Sequence, residues 1–303
     1  MIERVRRYKH LIARRVVQLG VIALFIAGLR LDWTLFGREL VQGNLSASKV
    51  LNVVPLADPL AVLQIVAAFH VPAMDLIWGA LIVAGFYFLV GGRVFCGWVC
   101  PVNLVADAAE GTRRALKLPA GWSLDRRLKY GVLGMALVLS MLSSVAAFEW
   151  ISPIGLAHRG LIYGMGWGWA ALAGVYLFDL LVLRHGWCGH LCPLGAFYSL
   201  VGRFSPLKVR FDAASCTACG DCHRICPEPQ VLNLKALGAT GLVKSGNCTN
   251  CGRCVGECPE GSLGFGLGWR KSTLSAPPAA GPSGGEAGTG GKDGGAETIK
   301  LAG

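Results

Sequence analysis

Twelve cysteines, set in four groups, carry most of the chemistry available to this chain. Cys216, Cys219, Cys222 and Cys226 form a C-x2-C-x2-C-x3-C-P run. Cys248, Cys251, Cys254 and Cys258 repeat it 32 residues later. Three closely spaced thiolates can wrap one cube of iron and sulfide. Small neighbours such as Gly220 and Gly252 let backbone amides approach the sulfurs, and the proline turns the chain away. This is the bacterial [4Fe–4S] ligand spacing, and in two-cluster ferredoxins the fourth cysteine of each run ligates the other cluster. One cluster is therefore expected on Cys216, Cys219, Cys222 and Cys258, and the other on Cys248, Cys251, Cys254 and Cys226. Structural zinc would show paired C-x2-C units with four ligands in all, a pattern that two tandem runs of four do not match. Two adjacent clusters make a one-electron relay.

The remaining four cysteines also form a repeat. Cys96-Gly-Trp-Val-Cys100-Pro101 and Cys188-Gly-His-Leu-Cys192-Pro193 share a C-G-x-x-C-P pattern at an offset of 92 residues. On a helix a C-x3-C spacing puts both thiols on one face. Together the two pairs offer enough thiolates for a third cluster, for transient disulfides or for a redox relay. The plainer alternative is a proline ending a helix beside unligated thiols. His185 and His190 flank the second pair and are open to reading as interfacial side chains.

These motifs must be positioned by the elements around them. Of 303 residues 53% are hydrophobic and only 16% charged, below the roughly 25% charged residues of a soluble domain. Apolar stretches near 16–29, 74–90, 130–148 and 166–183 read as four transmembrane helices. The net charge of +11 collects before the first, with Arg14 and Arg15, and between the second and third, with Arg93, Arg113, Arg126 and Lys129. Such an excess marks cytoplasmic loops rather than a nucleic-acid surface. Both termini and all twelve thiols then lie on the cytoplasmic side of a bacterial inner membrane, where free cysteines persist. The expected fold is an α-helical membrane domain over 1–205, built as a duplicated helical hairpin. An α+β domain of the 2[4Fe–4S] ferredoxin type follows over 206–270. A Gly/Pro-rich tail over 271–303 is expected to be disordered.

The spans carry no set of histidines that could hold b-type haem. Asp179 falls inside the fourth span, and an intramembrane carboxylate is a functional candidate by default. It is placed to accept a proton from a quinol, or equally to pair with Arg184 or reach interfacial water. Glu149, His158 and Arg159 fall on the outer side, open to a quinone headgroup or an external partner. The outer segment 43–64 is expected to lie on the membrane or form a binding cap.

The order GNLSAS, VPLADPL, FCGWVCP, EWISPIG, FDLLV, HGWCGHLCP and then CPEP with a second ferredoxin run resembles the NapH/MauN family of membrane ferredoxin-type proteins, over roughly 14–268. The resemblance implies four spans and cytoplasmic [4Fe–4S] centres on the eight ferredoxin cysteines. On the NapH side it implies an electron-transfer subunit of a quinol dehydrogenase rather than a stand-alone enzyme. That subunit takes electrons from quinol, with a periplasmic ferredoxin-type iron–sulfur protein as partner, toward periplasmic nitrate reductase. On the MauN side it implies an accessory or maturation role in methylamine utilisation. Membrane lipid and quinone are the other expected contacts, and no nucleic acid is. The Gly-rich tail departs from the family pattern.

Overall fold

Apolar helices dominate the computed structural model, which describes residues 2–30, 34–35, 38–39, 41–118, 122, 124–164, 166 and 168–268. The expected tail over 271–303 lies outside the described residues. Helix α1 (Ile2–Arg30) leads. Its stretch Tyr8–Gly28 is long and apolar enough by itself to cross a membrane. The short strands β1 (Thr34–Leu35) and β2 (Arg38–Glu39) pair next. The strands β3 (Val41–Gly43), β4 (Ala47–Val50) and β5 (Val54–Ala57) then form an antiparallel sheet. The segment 43–64 is thus a folded unit of strands running into a helix. Asp58 follows β5 and caps helix α2 (Pro59–Ala67): its Oδ1 accepts from the Leu60 amide at 3.0 Å, with proline at the first helical position.

Helix α3 (Met74–Val90) covers the second expected span. A short helix α4 (Val94–Trp98) and the amphipathic α5 (Val102–Ala115) follow. The third expected span is helical as α6 (Leu128–Ser143) but ends early, where Ser144 turns left-handed at φ 54°. Two helices follow, α7 (Ala147–Ile151) and α8 (Pro153–Tyr163). The fourth expected span is covered by α9 (Gly168–Leu177), continued by a π-helical turn, Phe178–Val182. A second π-helical turn, Trp187–Leu191, leads into α10 (Pro193–Arg203). The helices Met74–Val90, Leu128–Ser143 and Gly168–Val182 are apolar but shorter than a full span.

The repeated unit is one apolar helix, a C-G-x-x-C-P turn and a following helix. The two copies meet at glycines. A side chain at Gly92 would sit 2.0 Å from the Tyr198 carbonyl oxygen and 2.4 Å from the Gly202 nitrogen, so the end of α3 touches the α10 backbone only because both positions lack a Cβ. Tyr87, Phe95 and Tyr198 fill the core between the copies, with Phe95 stacked on Tyr198 at 5.3 Å.

The last domain is a small α+β unit. Strands β6 (Leu207–Phe211) and β7 (Leu263–Leu267) pair antiparallel, from Leu207 opposite Leu267 to Phe211 opposite Leu263. Between them lie α11 (Asp221–Ile225), α12 (Leu234–Thr240) and α13 (Arg253–Glu257). Its core is Val209, Phe211, Val231, Leu232, Leu237, Val243 and Leu263, with cysteines packed among them.

Candidate metal centres

Each ferredoxin run folds over the same backbone. Ala218 and Gly220 have φ of 53° and 81°, and their counterparts Asn250 and Gly252 have 46° and 72°. Left-handed residues on either side of the second cysteine curl the loop and turn amides toward the sulfurs. The Ala218 amide reaches the Cys216 sulfur at 3.4 Å. The third cysteine of each run stands on a short helix, Cys222 on α11 and Cys254 on α13.

Cys216, Cys219 and Cys222 line one cavity together with Cys258, the fourth cysteine of the other run. Cys226, the fourth of the first run, lies buried in the core with Cys254 and against Cys248. Burial, and then the thiols of Cys251, Cys248, Cys226 and Cys222, push the Cys254 thiol well above its ordinary range. Four mutually repelling thiolates in such a place require a compensating positive group, and metal binding supplies one. Among the described residues no three His, Cys, Asp or Glu donors close on a single metal ion. A lone tetrahedral zinc needs its sulfurs at about 2.3 Å. Thiols set around a cavity rather than a point suit a polynuclear cluster.

Contrary to the expectation that no C-x-x-C-H motif occurs and c-type haem is thereby excluded, the first run contains Cys219-Gly-Asp-Cys222-His223, the spacing of a c-type haem attachment. Here both thiols share their cavity with Cys216 and Cys258, which matches a four-thiol site.

The two C-G-x-x-C-P pairs, distant in sequence, come together: Cys96, Cys100, Cys188 and Cys192 line a single small cavity with Ile154, Trp187 and Leu194. Neither pair lies within one regular helix. Cys96 is on α4 and Cys100 just past it, while Cys188 is in the π-helical turn and Cys192 just past that. Each proline begins a new helix rather than only ending a span. The Cys192 sulfur accepts from the Gly195 amide at 3.4 Å, capping α10, where the helix dipole favours negative charge. Burial, followed by Asp179 and the thiols of Cys100, Cys192 and Cys96, raises the Cys188 thiol.

Arg93 ties this group to the ferredoxin domain. Its guanidinium is 1% exposed. It donates to the Cys188 carbonyl (2.9 Å), the Asn247 carbonyl (3.0 Å) and Glu228 Oε1 (2.8 Å). Arg126 closes on the other Glu228 oxygen. Burial alone would raise the Glu228 carboxyl, but Arg93, Arg126 and Lys129 hold it down at about 2. Lys129 and Ser199 both donate to Asn247 Oδ1 at 2.7 Å, and Trp98 Nε1 donates to the Asn250 carbonyl at 3.1 Å. A Cβ at Gly97 would lie 3.7 Å from the Cys251 Cβ. The second run is therefore pressed onto the first C-G-x-x-C-P turn. Asp107 on α5 adds a second latch, pairing with Arg14 at 3.1 Å and Arg15 at 2.7 Å of α1 and with Arg253 of the second run. Among the basic residues that first read as topology markers, Arg93, Arg126 and Lys129 fasten the two domains, and Arg14 and Arg15 fasten α1 to α5.

Asp179 is 1% exposed, and its Oδ1 accepts from the Trp187 amide at 2.9 Å, steadying the turn that carries Cys188. Arg184 pairs with Glu110 at 2.9 Å instead of with Asp179. His185 and His190 are buried, at 4% and 3% exposure, rather than interfacial.

A family model described as a 4Fe-4S binding domain matches residues 72–119 and again 164–212, and a 4Fe-4S dicluster domain matches 208–259. The two matches of the first begin 92 residues apart, the offset of the C-G-x-x-C-P pairs. The methylamine utilization ferredoxin-type protein MauN of Methylorubrum extorquens is 45% identical over 245 residues, 80% of this chain and 83% of the relative. The ferredoxin-type protein NapH of Haemophilus influenzae is 42% identical over 221 residues, covering 72% and 75%. NapH of Escherichia coli is 40% identical over 233 residues, covering 77% and 79%. No solved structure matches the chain. With two kinds of iron–sulfur domain, and at this identity over most of its length, the chain belongs to the NapH/MauN family of ferredoxin-type, iron–sulfur electron-transfer proteins.

Proposed function

We propose that the protein is a four-span subunit of the bacterial cytoplasmic membrane, with both termini and its centres on the cytoplasmic side, that carries electrons from quinol toward periplasmic nitrate reductase. The carrying observation is that eight cysteines line two cavities in fours, and that the other four, Cys226, Cys248, Cys251 and Cys254, lie near enough for the first three to act on the Cys254 thiol. Cys216, Cys219, Cys222 and Cys258 would hold one [4Fe–4S] cluster and Cys248, Cys251, Cys254 and Cys226 a second. Cys96, Cys100, Cys188 and Cys192 would hold a third. When bound, such clusters supply one-electron couples anywhere from about −700 to +450 mV. The chain's own part is to hold the three sets in line. One buried guanidinium, that of Arg93, touches Cys188 of the third set, Glu228 two residues past Cys226, and Asn247, the residue preceding Cys248.

The membrane reading rests on the faces the helices leave uncovered. Leu81, Ile82, Phe86 and Leu89 on α3 and Met135, Val138, Leu139 and Leu142 on α6 are all exposed. Water would penalise such surfaces, whereas lipid would cover them. Trp122, Trp150 and Trp169 are exposed near the helix ends, where aromatic belts form.

The alternative is a ferredoxin-type accessory or maturation protein for methylamine utilisation, favoured by the MauN relatives at 45% identity. Anaerobic purification in detergent, iron and sulfide analysis and EPR test the reading. About twelve irons per chain are expected, with about eight in Cys100→Ser, and reduction on adding a quinol analogue. Eight in both proteins would remove the third centre. Iron that ignores quinol would favour the maturation role, as would a deletion strain that loses growth on methylamine but keeps nitrate reduction.

A further inference from the structure

A mostly apolar cavity lies beside the group formed by Cys96, Cys100, Cys188 and Cys192. It measures about 420 Å³, within the range of small-molecule sites. Ser46, Asp58 and Glu149 lie together in its lining, and Phe95, Val99 and Tyr198 line it as well. Ile154 and Leu194 line both this cavity and the one enclosed by Cys96, Cys100, Cys188 and Cys192. The two spaces are thus separated by a wall one side chain thick. At the mouth, Leu24 of α1 and Ile82 and Phe86 of α3 are 40%, 45% and 54% exposed. These exposed apolar residues open the cavity toward the surface that lipid would cover.

We infer that this cavity is a binding site for a lipid-soluble hydroquinone, with the carboxylates of Asp58 and Glu149 receiving its protons on the outer side. The inference rests on the quinol reading above and gives it a place. The cavity is apolar enough to exclude water-soluble reductants, it opens sideways, and its two carboxylates lie together. Asp58 keeps one oxygen on the Leu60 amide. Glu149 is held by the Ser46 hydroxyl, which reaches Oε1 at 3.0 Å and Oε2 at 2.9 Å. The charged and titratable groups around Asp58 are Glu149, Tyr87 and Tyr198, and the Arg159 guanidinium donates to the Glu149 backbone carbonyl. Burial, followed by repulsion from Glu149 and against the pull of the Leu60 amide, brings the Asp58 carboxyl to about 7. A base with that affinity exchanges protons well at neutral pH.

The balance is simple. Two O–H bonds of one hydroquinone break and it becomes the quinone. The two protons go to the carboxylates, and the two electrons leave singly to iron–sulfur acceptors beyond the Ile154–Leu194 wall. Asp179 does not line this cavity.

The test is photolabelling of the full-length detergent-solubilised protein with an azidoquinone, competed by duroquinol or by phospholipid, alongside duroquinol reduction of the bound iron. Label is expected on peptides from β3–β5 and α3, displaced by duroquinol and not by phospholipid. Filling the space in Val83→Trp should weaken labelling about tenfold or more. Ile82→Trp at the mouth serves if Val83→Trp does not fold. Asp58→Asn retains the helix cap and Glu149→Gln can still accept from Ser46. Both should keep the label and slow reduction by duroquinol. Label elsewhere, or displaced by phospholipid alone, overturns the site. So does slowing in Asp179→Asn with Asp58→Asn and Glu149→Gln unaffected. If duroquinol reduces iron while the tryptophan variants label normally, the site fails and the electron-carrier reading stands. Label at the site without reduction of iron supports the site and removes that reading.

Discussion

The two ferredoxin runs are nearly identical in spacing yet occupy opposite environments. The first places Glu228 two residues after its last cysteine, and the second places Glu260 at the same point. Glu228 is 2% exposed and clamped by Arg93 and Arg126, whereas Glu260 is exposed. Cys251 is buried, whereas its counterpart Cys219 is exposed. Matching positions have thus diverged: the end of the first run, at Glu228, and the Cys251 loop of the second dock on the helices, while Cys219 and Glu260 face outward. An electron relay needs that inequality: one end must be in register with the next carrier in the chain, and the other must stay accessible to a partner.

The largest consequence should appear in the fate of the iron. A hydrophilic chelator added to the reduced holoprotein should strip about four irons in a fast phase and the remainder slowly, because only the first run exposes a ligand to solvent. Replacing Cys219 by serine should abolish the fast phase, while replacing Cys251 should shrink the slow one. A single phase in the unmodified protein would mean that the two environments are equivalent in solution.

The next effect is on stability. Removing one partner of a buried ion pair typically costs about 3–5 kcal/mol, because the other charge is left unpaired. Glu228→Ala should cost about that much and loosen the ferredoxin domain from the helices, giving new protease cleavage near Pro206. Glu260→Ala should stay within about 0.5 kcal/mol. Denaturant titration of the two variants side by side measures the difference, and equal costs would show that the docking contributes nothing.

Much of this was legible beforehand, and what escaped has a common physical cause. The helix over Met74–Val90 follows from an unbroken apolar run, and the twin cysteine runs follow from spacing alone. The helix over the third expected span ends short where Ser144 adopts φ 54° and its carbonyl oxygen meets the His70 ring at 3.0 Å, a break that hydropathy does not register. The meeting of Cys96 and Cys100 with Cys188 and Cys192 was open as a possibility, since repetition suggested it, but contact across 92 residues needs the Gly92–Gly202 approach. Arg93 and Glu228 went unnoticed as a pair. Charge counting places an arginine on a side of the membrane and says nothing of what it grips. The carboxylates Asp58 and Glu149 converge only because the outer segment folds back as a sheet.

The smallest predicted effect probes the same inequality at a single methyl group. Gly220 and Gly252 occupy matching left-handed positions, so alanine at either should cost about 1–2 kcal/mol from backbone strain. The surroundings differ. A Cβ at Gly220 would meet nothing within 4 Å, whereas one at Gly252 would lie 2.6 Å from the His10 ring carbon Cγ. His10 belongs to α1 and packs edge-on against Phe265 at 5.7 Å, so the added methyl must push the first helix away from the second run. Overpacking of that kind adds about 1–3 kcal/mol. Gly252→Ala should therefore melt below Gly220→Ala. Shortening the side chain in a Gly252→Ala/His10→Ala double variant should restore most of the gap. If the two single variants melt together, α1 does not rest on the second run, and the docked face is held by the contacts of Arg93, Arg126, Lys129, Trp98 and Asp107 without it.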